Sequence, residues 1–161
     1  GEALVDEGTN TVVLRTFSKV YGLAGLRVGW AYAPHDVGGT VAKMRPIGSI
    51  STQALAAVEA AVDDHDHMLW ARDEVIALRE RFTAQLRQFG FEPVESQTSF
   101  VLVHVPDHLG FTVPELYDAV KARGILLRCV ANFGLDRHIR ISIGSPDEMA
   151  ALNAALSDIL G

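Results

Sequence analysis

The stretch Arg15–Trp30, RTFSKVYGLAGLRVGW, most narrows what this chain can fold into. Two short apolar runs flank and overlap it, TVVLRT (Thr11–Thr16) and LRVGWAYA (Leu26–Ala33, ended by Pro34). Both read as short buried strands. Gly22, Gly25 and Gly29 lie in or next to their connection, so it turns tightly and lets backbone come close to another group. Inside this apolar frame stands Lys19, with Ser18 just before it and Arg27 further on. A neutral lysine amine is a nucleophile that condenses with aldehydes, and desolvation near other positive groups favours the neutral form. The hydroxyls of Thr16 and Ser18 and the planar guanidinium of Arg27 are donors suited to phosphate oxygens. The spacing therefore places a carbonyl trap beside a phosphate clamp.

Downstream, Asp36–Arg45 reads as a short helix stopped by Pro46, and Ser49–Val62 as an Ala-rich helix with Ser51 as its N-cap. Between Asp66 and Phe89, apolar residues such as Leu78, Phe82 and Leu86 recur at helical spacing. They predict one long amphipathic helix closed by Gly90. Then follow a strand at Ser99–Val105, a helix at Thr112–Gly124, strands at Ile125–Val130 and His138–Gly144, and a helix at Ser145–Leu160. The last opens on SPDE, a Ser cap with Pro at the first helical position and acids in the first turn. The order predicts an α/β chain in two parts. Residues 1–65 supply part of a larger, parallel sheet that carries the glycine-laced turn. Residues 66–161 form a nearly complete α+β domain, a sheet with helices on one face. The abrupt start at GEALVDEGTNTVVLRT predicts a piece of something longer.

Composition sets the outer limits. The 161 residues are 48% hydrophobic and 21% charged, an ordinary globular balance that supports a real core. A formal charge of −6 argues against binding nucleic acid through its backbone. No apolar run approaches the ~20 residues needed to span a bilayer, and no signal peptide is evident. The single Cys129 excludes an internal disulfide, reads as a small core residue and suits a reducing cytoplasm. The DDHDH cluster, Asp63–His67, is too local to converge on a metal and has a simpler role at a helix start. No metal site is expected.

SKVYGLAGLRVG, Ser18–Gly29, resembles the lysine motif of fold-type I pyridoxal-phosphate-dependent aminotransferases. With ILLRCV (Ile125–Val130) and HIRISIG (His138–Gly144) downstream, the chain is most similar to the C-terminal half of the histidinol-phosphate aminotransferase group. That group includes aromatic aminotransferases and threonine-phosphate decarboxylases. The resemblance runs the length of the chain. It implies that residues 1–65 are the C-terminal part of the cofactor-binding large domain and 66–161 the small domain. It implies transamination in amino-acid biosynthesis, with an amino acid and a 2-oxo acid as substrates, glutamate and 2-oxoglutarate being the usual second pair. Lys19 would bond the pyridoxal 5′-phosphate aldehyde and move the proton at the substrate Cα. Thr16, Ser18 and Arg27 would bind the cofactor phosphate. Arg140 would hold a substrate carboxylate or phosphate, and Arg128 would face the substrate.

Departures accompany the resemblance. Where the group reads Asp-Glu-Ala-Tyr upstream of the lysine strand, this chain reads GEAL, with Gly1 at the ring-nitrogen position and Leu4 at the tyrosine position. Ser49 stands where an Asn is frequent. The other cofactor contacts of the group lie upstream of Gly1. These departures predict a chain that takes up cofactor but does not transaminate well alone. The alternative is a non-catalytic remnant or interaction module. Exposed sheet edges predict a homo-oligomer, a dimer in the related enzymes.

Overall fold

The glycine-laced connection folds the chain back alongside itself. In the computed structural model, which describes residues 1–8 and 10–161, strands β1 (Val13–Thr16) and β2 (Gly29–Tyr32) pair antiparallel. Val13 lies opposite Tyr32 and Thr16 opposite Gly29. The parallel pairing expected here is not formed between these two strands. Parallel neighbours need a crossover, usually a helix. Phe17–Val28 holds only a 3₁₀ turn, Ala24–Leu26, and returns as a hairpin. The strands are also less buried than their composition suggested. Val13 alone is buried, and β2 is exposed throughout. The apolar cluster of this region, Phe17, Val28 and Ala54, gathers around the connection instead of covering the strand faces.

A short helix not foreseen in the sequence, α1 (Glu2–Asp6), precedes β1, and the Tyr32 hydroxyl of β2 donates to the Asp6 carboxylate. Helices α2 (His35–Met44) and α3 (Thr52–Asp63) follow. Ser51 caps α3 as expected, its hydroxyl accepting from the Ala54 amide at 3.1 Å. The described chain divides into two compact units, Gly1–Ala71 and Arg72–Gly161, and α4 (His65–Gln88) runs through the junction.

The second unit is built on four strands: β3 (Glu92–Pro93), β4 (Phe100–His104), β5 (Arg128–Cys129) and β6 (His138–Ser142). Their order is β3-β4-β6-β5 and every pairing is antiparallel. Helices α5 (Val113–Lys121) and α6 (Pro146–Leu160) complete it. Strand alternation decides what each face does. Val101, Val103, Ile139 and Ile141 are buried and join Phe82, Leu86, Leu116 and Leu156 of the helices in one core. Leu102, His104, His138 and Arg140 point the other way and are only half-buried. Helices therefore cover one face, and the opposite face carries the polar side chains. Two capping boxes fix the helix starts: Thr112 with Glu115 and Ser145 with Glu148. The expected strand Ile125–Val130 shrinks to Arg128–Cys129. Only those two residues find partners on β6, and a 3₁₀ turn, Ala131–Phe133, leads the chain away.

Candidate functional site

In the first unit the lysine loop is shaped by its glycines. The Gly22 amide donates to the Lys19 carbonyl at 2.8 Å, closing a turn in which Gly22 has φ of 69°. That left-handed conformation favours glycine. Gly29 is required for a different reason: a Cβ there would lie 2.6 Å from the Arg15 carbonyl oxygen across the hairpin. Gly25 faces open space and has no such demand. Phe17 turns inward beneath the loop, its ring 4.9 Å from that of Tyr21. Lys19 consequently points outward and is exposed, not desolvated as the apolar frame suggested.

Beside it, the Thr16 hydroxyl donates to the Ser18 hydroxyl at 2.8 Å and accepts from the Ser18 amide at 3.0 Å. Arg27 is the one residue other than glycine with a positive φ, 55°, among the described residues. It ends the Ala24–Leu26 turn, and one guanidinium nitrogen donates to the Ala24 carbonyl at 2.6 Å. The remaining guanidinium N–H groups are left to solvent. An arginine held in left-handed backbone is strained, and such strain concentrates at binding sites. Two hydroxyls and a guanidinium form a donor set that fits a phosphate dianion, and the exposed Lys19 amine fits its aldehyde.

In the second unit the register does what the sequence did not foretell. Arg140 of β6 is the direct partner of Arg128 on β5 and of Leu102 on β4. Both arginines lie on the face away from the core. Like charges directly opposite one another destabilise a sheet unless an anion lies between them. Arg140 Nε is buried and has no hydrogen-bond partner, while its guanidinium carbon sits 5.0 Å from the centroid of the Phe100 ring. One row along, His104 Nδ1 lies 2.8 Å from a Glu92 carboxylate oxygen, and the His104 and His138 rings are 5.0 Å apart. Burial, and then the neighbouring His104, lowers the pKa of His138 below the ordinary imidazole value. Phe100 and His138 were missed as site residues. Period-2 spacing along β6 places His138 on one face with Arg140, whereas Phe100 of β4 comes beside Arg140 only through the strand register.

Comparison with known proteins gives these loops a context. The solved histidinol-phosphate aminotransferase from Sinorhizobium meliloti, in complex with pyridoxal-5′-phosphate, matches with a TM-score of 0.77 at 31% identity. The match covers 92% of this chain and 40% of that one. The L-threonine-O-3-phosphate decarboxylase from Porphyromonas gingivalis matches with a TM-score of 0.79 at 27% identity, over 99% of this chain and 49% of that one. In sequence, the histidinol-phosphate aminotransferase of Roseobacter denitrificans is 38% identical over 161 residues, all of this chain and 44% of that protein. The fold is thus the mixed α/β arrangement of the C-terminal portion of such enzymes. Residues 2–156 match aminotransferase class I and II, and the chain belongs to that family. It spans less than half the length of the curated relatives it matches.

Proposed function

We propose that this chain is the C-terminal part of a pyridoxal-phosphate-dependent aminotransferase of the histidinol-phosphate or aromatic type. Residues 1–65 complete a cofactor domain and residues 66–161 form the small domain. The observation that carries the reading is the lysine loop, in which paired hydroxyls and a strained arginine accompany Lys19. Bound at this loop, pyridoxal 5′-phosphate supplies an electron sink for negative charge at the substrate Cα. Lys19 would present its amine to the cofactor's aldehyde and would hold or move the proton at the substrate Cα. Thr16, Ser18 and Arg27 hold the phosphate, each charge-assisted contact stabilising it by about 1.5–3 kcal/mol. Arg140 and Arg128 receive a carboxylate or phosphate of the substrate, which relieves their mutual repulsion.

The substrates on this reading are an amino acid and a 2-oxo acid. The working assembly is a homo-oligomer, because β2 is exposed along its length. The free, half-buried Cys129 suits a cytoplasmic setting. The test is a titration of the 161-residue chain with pyridoxal phosphate and with pyridoxal, followed by absorbance. The phosphorylated form should bind at least tenfold more tightly, and Lys19→Ala should remove the absorbance change. Equal binding of the two aldehydes would reject the phosphate clamp.

A further inference from the structure

We infer that Phe100 is a positioning residue for Arg140, its ring face setting the direction in which the guanidinium meets a substrate carboxylate. The inference rests on the reading of Arg140 as the carboxylate-binding residue. The guanidinium carbon lies 5.0 Å from the ring centroid, within the ~6 Å over which a cation is attracted to an aromatic face. Phe100 is the register partner of Ser142, so the ring reaches Arg140 along the diagonal of the β4–β6 pair, a reach open to aromatic side chains.

Among the described residues, the Phe100 ring is the only group that engages the Arg140 side chain by hydrogen bond, ion pair or ring contact. Nε is buried and unpartnered, and no carboxylate pairs with the guanidinium. A long side chain with no hydrogen-bond partner loses aim to its rotamer freedom. The ring supplies the aim without forming a hydrogen bond to the N–H groups, so none of them is taken up by a protein acceptor. An ion pair with a protein carboxylate would have occupied them.

Phe100 is itself held. Its carbonyl accepts from the Ser96 hydroxyl at 2.6 Å and from the Thr98 hydroxyl at 3.1 Å, and its amide donates to Thr98 Oγ1 at 3.3 Å. Arg79 of α4, at 7% exposure the one buried charged residue among those described, donates to the Thr98 carbonyl at 2.9 Å. A helix residue fixed in the core thus holds the turn that holds the ring beneath the substrate-facing arginine.

The test labels the chain with ¹⁵N-arginine and follows the Arg140 Nε–H resonance, assigned by its loss in Arg140→Lys, during titration with 2-oxoglutarate. Placing pentafluorophenylalanine at position 100 keeps the ring's shape while reversing the charge on its face. This change and Phe100→Leu should each weaken 2-oxoglutarate binding two- to thirtyfold, the range a cation–π contact spans. Both should speed rotation of the guanidinium in the free protein, whereas Phe100→Tyr should restore both to within twofold. A merely structural role for Phe100 predicts that pentafluorophenylalanine changes nothing, and that result would overturn the inference. Unchanged binding with wild-type dynamics in Phe100→Leu would overturn it too. If 2-oxoglutarate fails to move the wild-type Arg140 resonance at all, the carboxylate reading of Arg140 falls and the inference with it.

Discussion

Arg27 allows stability and binding to be pulled apart at one position. Its backbone sits at φ of 55°, where a residue with a Cβ pays about 1–2 kcal/mol relative to glycine. Its guanidinium donates one exposed hydrogen bond to Ala24, worth about 1 kcal/mol. In Arg27→Ala that bond is lost and the backbone strain stays, so the first unit should lose about 1 kcal/mol. In Arg27→Gly the bond is lost and the strain is relieved, leaving stability near the parent value. Glycine should therefore be the more stable of the two by about 1 kcal/mol. This inverts the usual order, in which alanine exceeds glycine by reducing the freedom of the unfolded chain. Both variants remove the same phosphate contact and should weaken pyridoxal phosphate uptake alike, by roughly 10- to 150-fold for a loss of about 1.5–3 kcal/mol. Urea unfolding of each variant gives the stability, and absorbance titration gives the affinity. An alanine variant as stable as the glycine variant would refute the strain argument. Uptake unchanged in both would refute the phosphate clamp.

The His138 imidazole is held neutral by burial and by His104, so the unfolded chain binds more protons than the folded one just below the ordinary histidine pKa. Stability should thus fall as pH drops below ~6.5 and cease to fall once the folded-state pKa is passed, and His138→Gln should flatten this slope in urea midpoints measured across that range. Limited proteolysis should digest residues 1–65 first and leave 66–161 protected, since the extensive core of buried residues lies within Leu78–Leu156 whereas the first unit's cluster has three buried members. Phe82→Ala, emptying a site that is 1% exposed in that core, should cost about 3–5 kcal/mol by urea unfolding. Light scattering should find an oligomer, and a clean monomer at high concentration would count against edge pairing.

Helix boundaries were largely legible because their signals are local. Ser51, Thr112 and Ser145 each act on amides within one turn, and Gly90 ends α4 through its own backbone. Strand existence was legible too, because Phe100–Val103 is a short continuous apolar run and Ile139 and Ile141 alternate with polar neighbours at period two. Strand partners were not. An apolar run states that a segment seeks burial, not which edge it meets or in which direction. The β1–β2 hairpin was accordingly expected to join a parallel sheet, and Ile125–Val130 to pair over a longer stretch than it does. The site divides in the same way. Ser18, Lys19 and Arg27 lie on one short connection, so the sequence alone could nominate them together. Arg128, Arg140 and Phe100 come from three strands, and only the register of β4, β5 and β6 makes them neighbours. The left-handed backbone of Arg27 had no signal at all, since arginine is not a residue that announces it.

The most direct measurement is to incubate the chain with pyridoxal phosphate, reduce with borohydride so that any carbon–nitrogen bond to the cofactor becomes permanent, and map the modified peptide by mass spectrometry. A Lys19 that serves as the cofactor's amine should carry the label stoichiometrically, with Lys43 and Lys121 bare at matched concentration and with the label lost in Lys19→Ala. Label spread evenly over Lys19, Lys43 and Lys121, or unchanged in Lys19→Ala, would contradict it.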